Sequence, residues 1–67
     1  MRLVMSRHAL EQAQERGISI SEIKKTIQQG AKFLQEKDKI VSDFMHLRVV
    51  YKMIKSEQFV ITVMIRK

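Results

Sequence analysis

S-I-S-E-I-K-K-T-I-Q-Q-G-A-K-F-L-Q, residues Ser19 to Gln35, changes its hydrophobic period at Gly30. Before that glycine, Ile20, Ile23 and Ile27 recur at the spacing of a helix with one buried stripe. Ser19 and Glu22 form an S-x-x-E capping box, in which each residue satisfies a free backbone N–H at the helix start. The pattern predicts a helix over residues 20–29, stopped by Gly30. After Gly30 the period becomes alternating. Residues 31–35 then read as a strand, with Phe33 as its main apolar anchor.

Upstream, S-R-H-A-L-E-Q-A-Q-E-R-G-I-S spans Ser6 to Ser19. Ser6 suits an N-cap and Gly17 a left-handed C-cap, so a helix is expected over residues 7–16. Ala9, Leu10 and Ala13 form its apolar stripe, while His8, Gln12, Glu15 and Arg16 share a polar side. Residues 2–5 suit a short edge strand.

Downstream, Lys37, Asp38 and Lys39 mark a turn, and strands are expected over 40–44, 47–54 and 59–65. Connections this short favour antiparallel hairpins. Alternation places Leu47, Val49, Tyr51 and Met53 on one face, with Phe59, Ile61, Val63 and Ile65 beside them. The opposite rows, Arg48, Val50, Lys52, Ile54 and Val60, Thr62, Met64, Arg66, mix cations with apolar residues. The expected fold is α+β: two N-terminal helices on one face of a three- to four-stranded antiparallel sheet. Its mixed outer face is where a partner is expected.

Sixty-seven residues make one domain, residues 1–67, with a core that is small for a monomer. The chain has no cysteine, which excludes disulfides and thiolate metal sites and leaves homodimerisation as the means of added stability. A formal charge of +6 points to an anionic partner, with RNA or another nucleic acid foremost. No apolar run is long enough for a membrane span and no signal-peptide pattern opens the chain, so a cytoplasmic location is expected.

Glycine-rich phosphate loops, nucleophile motifs and ligand-spaced His or acid pairs do not occur, so no metal or other cofactor is expected. Metal-independent RNA cleavage needs a base, an acid and cations around the phosphate. His8 and Arg16 are the catalytic candidates, with His46 or Tyr51 as a second proton-transfer group. Arg48, Lys52 and Arg66 are the nucleic-acid-binding candidates. Each has a structural alternative. His8 can pack near its helix start, Arg16 can pair with Glu15, Glu22 or the helix carbonyls, and the strand cations can simply be solvated.

The run His8-Ala9, then Glu15-Arg16-Gly17-Ile18-Ser19, with Gly30 ending the next helix and V-I-T-V at 60–63, resembles a small uncharacterised prokaryotic domain family. Its signature reads H-A-x-x-R-x-x-E-R-G-I-S, and the family is similar to the RelE/ParE and BrnT toxin-like fold. Gln12 stands here where the signature has its first arginine. The resemblance implies helices packed on an antiparallel sheet. It also implies RNA binding or a metal-independent ribonuclease toxin-like activity, or a remnant of one, with an antitoxin-like protein partner. The alternative is a non-enzymatic, dimerising binding module that uses the mixed sheet face.

Overall fold

The computed structural model describes residues 2–66. Its elements run β1 (Arg2–Met5), α1 (Arg7–Arg16), α2 (Ile20–Gln29), β2 (Ala31–Leu34), β3 (Ile40–Phe44), β4 (Leu47–Ile54) and β5 (Glu57–Ile65). Both helices have the expected bounds, set by local chemistry. The Ser6 side chain accepts the Ala9 N–H, and Gly17 closes α1 at φ 67°. At α2, Ser19 Oγ accepts the Glu22 N–H at 3.1 Å and Glu22 Oε1 accepts the Ser19 N–H at 2.9 Å.

Gly30 stops α2 for a different reason from Gly17. Its backbone is extended (φ −74°, ψ 160°), a conformation open to any residue. A Cβ there would overlap Ser42 Oγ and the Thr26 carbonyl oxygen, and would stand 2.8 Å from Asp43 O. Glycine thus lets β3 approach the end of α2. Ser42 Oγ donates to Thr26 O at 2.6 Å within that contact, and both residues are fully buried.

The sheet departs from the expected three or four antiparallel strands. It has five, in the order β1-β5-β4-β3-β2, and it is mixed. β1 joins as a full strand, parallel to β5 from Arg2–Glu57 to Met5–Val60, while the other pairs are antiparallel. A parallel partner needs a long crossover, and here the whole of α1 through β4 supplies it.

The expected row Phe59, Ile61, Val63, Ile65 is also corrected. Val50 pairs with Thr62, but Tyr51 pairs with Val60, so Ile61 is an extra residue on β5. This β-bulge reverses the alternation across it. Val60 and Val63 both enter the core, while Phe59 faces the other side with its partner Lys52. Three backbone-directed contacts hold the bulged segment beyond the end of β1. Ser6 N donates to Val60 O at 3.0 Å, Ser6 Oγ to Ile61 O at 3.2 Å, and Val63 N to Gln12 Oε1 at 3.2 Å.

The core lies between the helices and one sheet face. Ala9, Ala13, Ile18, Ile23 and Ile27 meet Leu47, Val49, Tyr51, Val60 and Val63, with Leu3, Met5 and Ile40 at its margin. A fully buried isoleucine such as Ile23 contributes about 1.5–3 kcal/mol. Ile20 and Leu10, expected in the helix stripes, are exposed instead, and Ile18 in the interhelical turn is buried in the core. No helix among the described residues is long and apolar enough to cross a membrane.

Candidate functional site

Among the described residues, the sheet face away from the helices has no second layer, and strand pairing arranges it in cross-strand rows. Val4, Phe59 and Lys52 form one row across β1, β5 and β4. Thr62, Val50, Val41 and Phe33 form the next, reaching β2. Met64, Arg48, Asp43 and Ala31 form a third. Val41 and Val50 are only 2% and 6% exposed although no helix covers them.

Phe33 is therefore not the core anchor its strand suggested. It faces outward, 48% exposed, with the Arg48 guanidinium 5.7 Å from its ring centroid. Cation and ring attract at that separation. The bulge brings Phe59 onto the same face beside Lys52. Each aromatic ring on this surface thus has a cation for a neighbour.

Asp43 organises the end of this face near the β3–β4 turn. Arg48 grips its carboxylate with two hydrogen bonds, Nε to Oδ1 at 2.7 Å and Nη2 to Oδ2 at 2.8 Å. Arg66 Nε lies 3.6 Å from Oδ2, and Arg66 Nη1 donates to Met45 O at 2.9 Å. The Arg48 hydrogen bond holds the Asp43 carboxyl below its ordinary pKa, helped by the nearby positive charges of Arg48 and Arg66 and opposed by burial. The same pairing raises Arg48. Two guanidiniums to one carboxylate leave the cluster net positive.

Arg48 and Lys52 thus occupy the outer face, with Arg66 at its end, where alternation placed them. His8 and Arg16 do not join them. Both are exposed on α1, whose Ala9 and Ala13 pack on the opposite side of the sheet. A five-stranded sheet separates the two sets. Tyr51 is buried in the core, and burial pushes its phenol up. His46 sits in the exposed β3–β4 turn, lining a cleft of about 150 Å³ with Glu22, Lys25, Thr26, Phe44, Met45 and Leu47. No group of three or more potential metal-binding side chains occurs among the described residues.

Gln12, the departure from the arginine signature, has a structural task. It accepts a hydrogen bond from Val63, which an arginine, having donors only, cannot do. Sequence reasoning missed three residues of this face. Asp43 was legible, because Asp43 and Arg48 stand symmetrically about the turn residues Met45 and His46. Phe33 and Phe59 were not, since their orientation depends on which face the helices cover and on the bulge.

No curated protein and no solved structure matches the chain. A family model does, described as Domain of unknown function (DUF4258), over residues 5–65. That span reaches from the end of β1 to the end of β5, and the chain belongs to this family.

Proposed function

We propose that this protein binds single-stranded RNA on its uncovered sheet face and does so without cleaving it. The observation that carries this reading is the pairing of Phe33 with Arg48 and of Phe59 with Lys52 on one surface. Single-stranded nucleic acid is held by aromatic rings that stack on bases and by cations that follow the phosphates. The net charge of +6 favours the same class of partner. The resemblance of the His8 to Ser19 stretch to a RelE/ParE- and BrnT-like family, an expectation from sequence, would fit an RNA target. The separation of His8 and Arg16 from the strand cations favours holding over cutting. An antitoxin-like protein would compete for the same face.

The test is fluorescence anisotropy with a labelled oligonucleotide of about ten nucleotides, a length in the range of single-strand sites. Phe59→Ala should weaken binding by about 1–3 kcal/mol, the range for one base stacked on an aromatic ring. Lys52→Ala should weaken all sequences alike and flatten the salt dependence. Binding indifferent to Phe33→Ala, Phe59→Ala and Lys52→Ala together would exclude this face. Cleavage in the presence of chelator that disappears in His8→Ala would replace binding by a ribonuclease role.

A further inference from the structure

We infer that the outer edge of β2 pairs antiparallel with the same edge of a second copy of this chain, about a two-fold axis at Phe33. β2 is the last strand of the sheet, and all four of its residues are exposed, Leu34 at 70%. The hydrogen-bond phase of β2 is fixed by the bond from Gln35 N to Lys39 O at 3.0 Å. That bond directs the polar groups of Gln35 toward β3, and with them those of Phe33 and Ala31 at every second position. Lys32 and Leu34 therefore aim their N–H and C=O outward, where no strand among the described residues meets them.

An edge of this kind is a template for a further strand. Three two-fold registers are conceivable, and two are poor. Centring on Lys32 sets two ammonium groups directly opposite each other, which is repulsive. Centring on Leu34 needs Glu36 as a strand residue, but Glu36 is already in the turn, where its carboxylate takes Lys39 Nζ at 2.9 Å. Centring on Phe33 matches Lys32 with Leu34 of the second copy, and Leu34 with its Lys32. Four backbone hydrogen bonds form, and the lysines are kept apart.

That register sets the two Phe33 rings opposite each other in a non-hydrogen-bonded pair, the closer of the two antiparallel spacings. Each ring keeps its own Arg48. The product is one continuous ten-stranded sheet, five from each copy, whose two uncovered faces run together. Edge pairing of four residues a side falls short of the roughly 1,200 Å² of a standard interface, so the association is weak and concentration-dependent.

Sedimentation of the full chain over a wide concentration range, with amide hydrogen exchange by NMR at its upper end, tests this without RNA. A reversible dimer is expected, with the Lys32 and Leu34 amides gaining protection as concentration rises while the inward Phe33 amide is protected throughout. Leu34→Pro removes an outward N–H and no inward one, so it should abolish the dimer. Phe33→Lys, a second variant that leaves the backbone unaltered, should do the same by like-charge repulsion. A monomer at millimolar concentration overturns the inference, and so does a dimer in which the Lys32 and Leu34 amides still exchange freely. Because RNA is absent, failure here leaves the anisotropy result on the sheet face standing.

Discussion

The side-chain carbonyl of Gln12 accepts the backbone N–H of Val63 at 3.2 Å, tying α1 to β5 just beyond the last residue paired with β1. Ser6, at the other end of the same helical turns, serves Val60 and Ile61. One helix thus completes the hydrogen bonding of a bulged strand that its own β1 is too short to cover. Replacing Gln12 with Arg, the residue of the signature, removes the acceptor. The variant should lose about 1 kcal/mol in denaturant titration, the usual worth of one such bond, whereas Gln12→Glu retains an acceptor and should lose less.

Asp43 gives the protein a dependence on acid. Its carboxyl lies below its ordinary value because Arg48 hydrogen-bonds it. A depressed folded-state pKa contributes stability above the unfolded value of 3.8, and that stability is lost as pH falls through the lower folded value. Asp43→Asn should therefore lower the melting temperature at neutral pH and flatten the decline below pH 3.8. Melting curves across that pH interval that match wild type in slope would exclude Asp43 as its origin.

The two glycines should respond differently to alanine. At Gly17 the space for a methyl group is open and only the positive φ opposes it, a cost of about 1–2 kcal/mol. At Gly30 the backbone is ordinary, but the methyl group meets Ser42 and Thr26. Overpacking of this kind costs about 1–3 kcal/mol, and rigid backbone among the obstacles places Gly30→Ala at the upper end. Thermal melts should show the larger drop for Gly30→Ala.

Lys55, in the two-residue turn between β4 and β5, has φ 57°. That region is costly for a side-chain-bearing residue and free for glycine. Lys55→Gly should raise stability by about 0.5–1 kcal/mol, net of the extra entropy glycine brings to the unfolded chain. A lower melting temperature in Lys55→Gly would show that the lysine side chain stabilises the turn by more than its backbone strain costs.

How far the candidate face could be foreseen depends on the range of the forces involved. Arg48 and Lys52 are legible as outward-facing because they alternate with Val49 and Tyr51 on the same uninterrupted strand. Phe59 is not, since one extra residue at Ile61 reverses its side. Nothing adjacent to Ile61 marks a bulge; the contacts that accommodate it come from Ser6 and Gln12, some fifty residues earlier. Phe33 alternates correctly, but which face the helices cover at the edge of the sheet is a matter of packing.

The sequence by itself determined both helices and the change to strands at Gly30. Caps, a left-handed glycine and hydrophobic period act over three or four neighbouring residues, and those neighbours are written in order. Only the tertiary structure decided that β1 lies parallel to β5, that Val60 rather than Phe59 enters the core, and that Gly30 is needed for close approach and not for its φ. Each of these depends on groups far apart in the chain, whose meeting is settled when helices and sheet bury their apolar surfaces against each other.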